Sequence, residues 1–460
     1  MSRTFVDVGV IRIGEYLTRV SELKSIRGAS WMVSDATREQ EIIKTLESAG
    51  ISGVQRNPDV GEADGVVHLE VAGTDPQEVA ERVLRSLRRD LPAADLIGLW
   101  ATAEDYATAF PLMVDQRTTG TGLEWVPVVA ECPWLNPCTK CGRRPAQRSG
   151  PDASCPDCAK RDRRGSAAAA ALRRNLGEGL ALPGGDLKSL LPTVRTHTPA
   201  DNHIAMVTAD GNGVGALFDS LIANPQVSAA ERRVVSLGLA QAAREALIDA
   251  ASAIRAGGVA PVIPVLVGGD DLCVYVAAAQ GWAFTQMLLS QFEVRAYEML
   301  AAAIPGLPAD ELPRVSMSAG LLFMPVKHPA SEAFVISDAL MRRAKRSTAG
   351  RTATVSWLDI TTDGIGPGDP AAGRPSAQVS DLVNLADQLR ALATISPSAR
   401  KGLEKAMAEL RSVQIAEDEV NRYVHKQGDR LGVEQLVSPF VDAGVAIDLG
   451  TALDLVRWFK

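Results

Sequence analysis

The chain has 460 residues, of which 46% are hydrophobic and 22% charged, with a formal net charge of −7 at pH 7 and a pI near 5.5. These values indicate a soluble globular protein of roughly two to four domains, and they exclude disordered and fibrous classes and a uniformly basic nucleic-acid-binding surface. No apolar run reaches membrane-spanning length and the amino terminus lacks a secretory signal, so we expect a cytoplasmic protein without a membrane partner.

Residues 1–130 alternate strand and helix patterns and are predicted to form a first α/β domain. Strands are expected at Phe5–Ile13, Gly65–Val71 and Leu96–Trp100, and helices near Gly14–Leu23, Thr37–Ser48 and Asp75–Arg88. A cysteine-containing insert is expected at 131–192. Its Gly/Ala-rich, basic end, Arg161–Pro192, is predicted to be a linker that ends in a helix.

Residues 193–365 show the clearest pattern. Strands are predicted at His203–Ala209, Val259–Val267, Leu272–Ala277, Arg314–Met324 and Thr352–Asp359, and helices at Ala229–Ala256, Trp282–Ala303 and Ser331–Arg346. This order is βαββαβ with one addition, the ferredoxin-like arrangement. Gly364–Pro375 is predicted to be a linker, and only helical periodicity follows it, so a helical domain is expected at 366–460.

Two C-x-x-C pairs predict a structural zinc site. The four cysteines are Cys138, Cys141, Cys155 and Cys158, with thirteen residues between the pairs. Zinc binds four thiolates tetrahedrally, which leaves no open position for catalysis. Cys132 is a possible substitute ligand, and Cys273 lies in a predicted buried strand as an ordinary core cysteine.

Three aspartates are predicted to form a metal-dependent catalytic site. Asp210 ends one strand, while Asp270 and Asp271 occupy the turn between two others. The first strand of a ferredoxin-like sheet lies beside that hairpin, so the three carboxylates converge. Magnesium (or manganese) prefers such oxygen ligands, and two ions can neutralise a nucleoside triphosphate during phosphoryl transfer.

Glycines flank these aspartates and are predicted to bind the nucleotide. They are Gly211, Gly213, Gly215, Gly268 and Gly269. Each is expected to permit positive φ and to leave room for the nucleotide to approach the backbone, where bare N–H groups can hold phosphate oxygens. A hairpin turn without catalytic function is the alternative reading of Gly-Gly-Asp-Asp alone.

A basic segment lies between Arg143 and Arg174, with nine Lys or Arg against three Asp. It is either a solvated face beside the metal module or a contact for a phosphate backbone or a partner.

An acidic, glycine-flanked turn also occurs in the first domain, at Gly61-Glu62-Ala63-Asp64-Gly65. It suggests a degenerate duplication, although no residue-level repeat proves it. Because this half lacks a D-G-x-G strand end and a second glycine–acid pair, we expect it to be inactive and Glu62 and Asp64 to be dispensable for product formation.

The segment Val267–Leu272 resembles the palm signature of the large, polymerase-like subunit of type III CRISPR effector complexes and, more distantly, GGDEF-type cyclases. Thr208–Gly213 is similar to the D-G-D-x-x-G strand end of that family, with Asn212 where an acid is usual. Ser316–Gly320 and Asp338–Lys345 resemble the palm's last strand and helix, whose lysine reaches a triphosphate. The resemblance therefore assigns Lys345 to nucleotide binding.

The resemblance extends over most of the chain. Glu22–Ser30 is similar to the start of the family's first, non-catalytic palm, the cysteine module falls between the palms, and Ala452–Phe459 resembles the closing helical domain. The implied fold is two ferredoxin-like palm domains with an intervening zinc ribbon and a helical carboxyl-terminal domain. Many members begin with an HD nuclease domain, but none of the five histidines here is followed by Asp, so no nuclease site is expected.

The resemblance implies an ATP-using enzyme that makes cyclic oligoadenylate, with CRISPR effector subunits and guide RNA as partners. Two alternatives stay open from the sequence. A catalytically inactive scaffold is suggested by Asn212, and a stand-alone nucleotide cyclase is compatible with the short chain.

Overall fold

The computed structural model describes residues 2–61, 64–127, 135–147, 150, 153–176, 180–193, 198–366, 368–394, 400, 440 and 447–459. Two β-sheets organise these residues, and both use the ferredoxin-like strand order. The predicted α/β class with two palm-like units is therefore confirmed. The domain boundaries proposed from the sequence remain predictions.

The first sheet has the order β2-β3-β1-β4-β5, with all neighbouring strands antiparallel. Its strands are β1 (Arg3–Ile11), β2 (Val54–Arg56), β3 (Val66–Val71), β4 (Asp95–Ala103) and β5 (Leu123–Trp125), and its helices are α1 (Ile13–Leu17), α2 (Leu23–Ala36), α3 (Glu39–Ser48), α4 (Pro76–Asp90) and α5 (Tyr106–Thr119). The single helix predicted at 14–23 is wrong, because α1 ends at Leu17 and α2 begins at Leu23. The sequence also missed β2 and β5, since three-residue strands are too short to show a period of two.

The second sheet has the order β11-β10-β9-β6-β8-β7. Its strands are β6 (His203–Gly211), β7 (Val262–Gly268), β8 (Asp271–Ala277), β9 (Met317–Pro325), β10 (Thr354–Asp359) and β11 (Ser376–Gln378). Its helices are α7 (Val214–Ala223), α8 (Ala229–Ala253), α9 (Gly281–Ala303), α10 (Ala330–Ser347) and α11 (Ile360–Asp363). The order β9-β6-β8-β7 is the predicted βαββαβ unit, and β10, parallel to β9, is the predicted addition.

The linker predicted from Arg161 is wrong in its first part, because α6 (Pro156–Asn175) is a continuous helix that packs on α2. A Cβ added to Gly28 of α2 would lie 2.0 Å from the Arg161 carbonyl oxygen of α6. A Cβ added to Gly165 of α6 would lie 2.1 Å from the Lys24 carbonyl oxygen of α2. Only glycine permits this spacing between the two helices. Of the small residues that suggested a linker, the alanines are good helix formers, and Gly165 allows the close contact with α2. A short 3₁₀ helix, Leu187–Leu190, lies near the predicted helical end.

Described residues beyond the second sheet pack onto it. They form the short helices α12 (Val379–Asn384), α13 (Ala386–Ala393) and α14 (Leu449–Leu455). The Trp458 ring stacks on Phe323 with centroids 4.9 Å apart, and its Nε1 donates to Asp359 Oδ2 at 2.9 Å. Strand β11 corrects the prediction of a purely helical region after residue 365. Most of 395–446 lies outside the described residues, so the closing helical domain remains a prediction.

One apolar cluster joins the two sheets, since Val8 and Leu69 of the first share it with Tyr275 and Met324 of the second. No helix among the described residues is long and apolar enough to cross a membrane.

Candidate functional site

The hairpin between β7 and β8 brings two carboxylates to one end of the second sheet. Gly268 pairs with Asp271, which leaves Gly269 and Asp270 as a two-residue turn. Gly269 has φ of 59°, the left-handed conformation that such tight turns require and that glycine adopts without steric cost. The apolar strands on both sides are buried, so the turn is fixed by the core.

The central strand β6 brings Asp210 to the same end of the sheet. Ala209 pairs with Leu272 of β8 and Asp210 with Ser318 of β9. An added Cβ on Gly211 would lie 2.4 Å from Asp270 Oδ2. Gly211 therefore makes room for the Asp270 carboxylate beside β6, and the predicted convergence of the three aspartates is the observed arrangement.

The glycines act in different ways. Only Gly213 (φ 67°), which precedes α7, and Gly269 have positive φ, so the expectation of positive φ at Gly211, Gly215 and Gly268 is wrong. Gly211 and Gly268 are instead close-approach positions. A Cβ on Gly215 would meet nothing within 4 Å, so open space adjoins the start of α7.

Helix α10 brings Lys345 to the aspartates. Its Nζ forms an ion pair with Asp210 Oδ2 and donates to the Gly211 carbonyl oxygen at 2.8 Å. Lys345 thus places a positive charge beside the carboxylate group. A triphosphate bound there would also need a positive charge at this position. Nucleotide binding by Lys345 and by the glycines remains a prediction.

The carboxylates are crowded enough to disfavour their charged forms. Burial and then Asp210 raise the pKa of Asp270. Asp271 keeps contact with solvent, yet the loss of surrounding water raises its pKa, and Asp210 and Asp270 raise it further. Lys345 opposes both shifts only in part. Such an uncompensated carboxylate group attracts divalent cations.

A cavity of about 600 Å³ opens beside Asp270 and Asp271 and is lined by both halves of the chain. Ser30 and Ser34 of α2, and Arg38 just before α3, line it together with the β7–β8 turn. This volume is within the usual range of small-ligand pockets. The sequence did not predict that α2 contributes to the site.

Asp64 also lines this cavity. Its Oδ2 lies 2.9 Å from the position of a Cβ on Gly268, and its Oδ1 accepts a hydrogen bond of 2.6 Å from Ser34 Oγ. The sequence predicts that Asp64 is dispensable for product formation, and this stays a prediction; the position of Asp64 beside Gly268 gives the reason to test it. The acidic turn at 61–65 was the available signal. Glu62 lies outside the described residues.

Asn212, the departure from the family's acidic pattern, is buried, and its side chain bonds to residues that precede β9 and β10. Its Nδ2 donates to Ser316 Oγ at 2.9 Å and to the Thr352 carbonyl oxygen at 3.1 Å. A carboxylate at this place would face that carbonyl and lack the protons to bond it. The amide therefore ties the end of β6 to its neighbours.

The four predicted cysteines come together at the start of α6. Their sulfur atoms all lie within 4.8 Å of one another, with Cys138, Cys155 and Cys158 buried and Cys141 partly exposed. Four thiolates around zinc at about 2.3 Å require such spacing, so the residues fit the predicted ion. Cys132 lies outside the described residues. Cys273 is a core cysteine, and burial raises its pKa to about 12.

A sequence model of the Cas10/Cmr2 second palm domain matches residues 203–354. No curated protein matches significantly. Solved structures with a similar fold include a Csm1–Csm4 cassette in complex with pppApA (TM-score 0.57, 14% identity, 99% of this chain and 69% of the matched chain). Csm1 from T. onnurineus (0.56, 12%, 99% and 69%) and a Csm1–Csm4 cassette in complex with cA4 (0.54, 14%, 99% and 70%) are also similar.

These identities establish the fold, while the sequence match covers the unit that carries Asp210, Asp270 and Asp271. The cavity, the cysteine site and the paired sheets occur together within that fold. Residues 203–354 therefore match the Cas10/Cmr2 second palm domain, and the fold of the whole chain is similar to that of Csm1.

Proposed function

We propose that this protein is a nucleotidyltransferase that joins ATP molecules into oligoadenylates, including cyclic ones, within an RNA-guided antiviral complex. The observation that carries the proposal is the group of three carboxylates, in which Asp210 pairs with Lys345 while Asp270 and Asp271 line a cavity of about 600 Å³. The similar Csm1–Csm4 structures with pppApA and cA4 support this substrate and product class and a Csm4-like partner.

The reaction forms a bond between the 3′-oxygen of one ATP and the α-phosphorus of another, and the bond to pyrophosphate breaks. Asp210, Asp270 and Asp271 would hold two magnesium or manganese ions, which when bound would neutralise the triphosphate oxygens. Lys345, now paired with Asp210, is within reach to pair with a phosphate instead. The proton of the attacking hydroxyl passes to solvent.

The cavity supports binding of two substrates because both halves of the chain line it. Asp270 and Asp271 lie on one wall, and Ser30, Ser34 and Arg38 on another. Holding two reactants together converts a bimolecular step into an effectively unimolecular one. The first palm would thus contribute to positioning and the second to the chemistry.

The cysteine group would hold one structural zinc ion. Its four sulfur atoms lie within 4.8 Å of one another, and Cys155 also caps α6, which packs on the cavity-lining helix α2. A metal here would fix the amino-terminal end of α6, a role in stability rather than catalysis.

The proposal is tested by incubating purified protein with ATP and magnesium or manganese, with any partner subunits and RNA that it requires, and identifying products by mass. The variant Asp270→Ala/Asp271→Ala should lose at least about a thousandfold in rate, because the metal anchors are gone. ATP with magnesium should raise the melting temperature of the wild type but not of this variant.

The matched control is Asp310→Ala/Glu311→Ala, two adjacent exposed acids in a turn of the same domain. This control should keep wild-type turnover. Equal turnover in both double variants would end the catalytic proposal, and a wild type that neither makes product nor is stabilised by ATP would favour the scaffold alternative. Product made without any partner would identify a stand-alone cyclase.

A further inference from the structure

A second, smaller cavity of about 330 Å³ lies beside the amino-terminal half of α2. Four cationic side chains line it: Lys24, Arg27, Lys188 and Lys327. Asp186 is the one carboxylate among its lining residues, and it accepts a hydrogen bond of 3.0 Å from the Lys188 backbone N–H. This excess of positive charge occurs in a chain whose net charge is −7.

Arg27 forms the buried base of this cavity. Its side chain is almost inaccessible, and both Nε and Nη2 donate to the Pro264 carbonyl oxygen, at 2.9 and 2.6 Å. No carboxylate pairs with it among the described residues. A carbonyl group satisfies hydrogen bonds but does not neutralise the charge, so a buried cation is left without a counter-ion.

A second guanidinium group approaches the same point. Arg173 Nη2 and Arg27 Nη1 lie 2.8 and 3.8 Å from the position that a Cβ would take on Gly185. Glycine at this place, with φ of 94°, leaves room for both. Burial, and then repulsion from Arg173, lowers the pKa of Arg27 to about 10, which shows that the protein groups do not compensate its charge.

We propose that this cavity, lined by Lys24, Arg27, Lys188 and Lys327 with Arg173 next to its Gly185 wall, binds a phosphate group, either of a single-stranded nucleic acid or of free phosphate. Planar guanidinium groups match phosphate oxygens in pairs, and flanking lysines add charge at the rim. Arg173 belongs to the basic segment between Arg143 and Arg174, and α6 places it next to the cavity. The proposal therefore favours a phosphate contact over a solvated face for this end of the segment.

The phosphate pocket is separate from the aspartate site and stands independently of the proposed transferase activity. Lys327 follows the end of β9, where Pro325 pairs with His203 at the start of β6. Asp210 lies seven residues further along β6, about 23 Å away at the usual rise per residue. Helix α2 connects the two places, since its first half lines the phosphate pocket and its second half the larger cavity.

The test uses the full chain without added divalent cations, so that the three aspartates repel anions. Binding of a fluorescein-labelled ten-nucleotide oligouridylate is followed by anisotropy, and binding of inorganic phosphate by thermal shift. The variant Lys188→Glu/Lys327→Glu should lower the affinity for whichever probe binds the wild type about tenfold. For the oligonucleotide, it should also reduce the slope of log affinity against log salt concentration by about 1.4. Arg173→Gln should weaken the same probe while leaving the lysines in place.

Lys44→Glu/Arg85→Glu is the matched control, because it reverses two charges on exposed helical positions of the first palm. It should change affinity less than about twofold. If Lys188→Glu/Lys327→Glu loses affinity for the oligouridylate, the ligand is a nucleic-acid phosphate. If it loses affinity for inorganic phosphate alone, the ligand is a free anion. Both results support the site. Equal losses in the two charge-reversal variants, no binding of either probe by the wild type, or tighter binding of an oligoglutamate peptide would overturn the proposal.

Discussion

The two sheets share one strand order but differ at the end of their first strand. In the second sheet β6 ends at Asp210 and Gly211, where the β7–β8 turn adds Asp270 and Asp271. In the first sheet β1 is followed by Arg12, which adopts φ of 55° and pairs with Asp95 at 3.0 Å. A cation at this position opposes metal binding. The same topology therefore provides an edge, and the side chains at that edge decide whether chemistry follows.

The first sheet has a buried polar group of its own, but its members are satisfied. Asp7 accepts from Tyr106 Oη at 2.6 Å and lies 2.8 Å from His68 Nδ1. In the second sheet, Lys345 pairs with Asp210 and offsets the charge of Asp270 and Asp271 only in part. The comparison shows that a closed hydrogen-bond network stabilises a fold, whereas a partly compensated charge group is available to ligands.

The largest effect that sharpens this comparison should come from the cysteine site between the palms. Metal analysis should find about one zinc per chain, and Cys138→Ser/Cys155→Ser should lose it and lower the melting temperature by at least about 10 °C. Hydrogen exchange should rise in α2, which packs on α6, more than in β6 and β8. Cys132→Ser is the control and should keep the metal. A stable, metal-free wild type would contradict this prediction.

Lys345→Met tests the cation that pairs with Asp210. Product formation should fall about a hundredfold, because the lysine pairs with Asp210 and is placed to meet a triphosphate. Arg12→Met, the change at the end of β1 in the first sheet, should leave product formation unaltered. Steady-state kinetics with ATP measure both variants. Similar losses in the two would mean that the sheets are not divided into a catalytic and a supporting half.

Asp64→Asn tests whether the first palm takes part at all. It keeps an acceptor for Ser34 but removes the negative charge beside Gly268, so we expect about a tenfold lower rate with ATP. Glu47→Gln, an exposed acid on α3, should have no effect. Unchanged turnover in Asp64→Asn would restore the interpretation drawn from the sequence, in which this half is dispensable.

The smallest effect concerns pH without metal. Burial and mutual repulsion raise the folded-state pKa of Asp270 and Asp271, so the folded state holds more protons than the unfolded state above the ordinary pKa of 3.8. The free energy of unfolding should therefore fall as pH rises through that window. Relative to Asp270→Asn/Asp271→Asn, the fall should be about 1 kcal/mol or less, since solvent screens Asp271. Urea unfolding at pH 5 and pH 8 measures it, and an identical pH dependence would refute the crowding argument.

Motifs that depend on local spacing were predictable from the sequence. The two C-x-x-C pairs identified all four sulfur ligands, and Gly269 with its neighbours identified the hairpin that carries Asp270 and Asp271. The long helices α8 and α9 were predicted to within a few residues of their observed bounds. These signals succeed because turn geometry and side-chain period are local properties of the chain.

The amino-acid sequence by itself determined the fold class, the cysteine group and the three converging aspartates. Only the tertiary structure decided that α6 is a helix interlocked with α2 at Gly28 and Gly165, and that Asp64 reaches Gly268. It also placed the guanidinium groups of Arg27 and Arg173 next to each other at Gly185, and it placed the Asn212 amide within hydrogen-bond distance of Ser316. The physical reason is that these contacts join residues far apart in sequence, where close packing and unpaired charge depend on how the two sheets meet rather than on any local pattern.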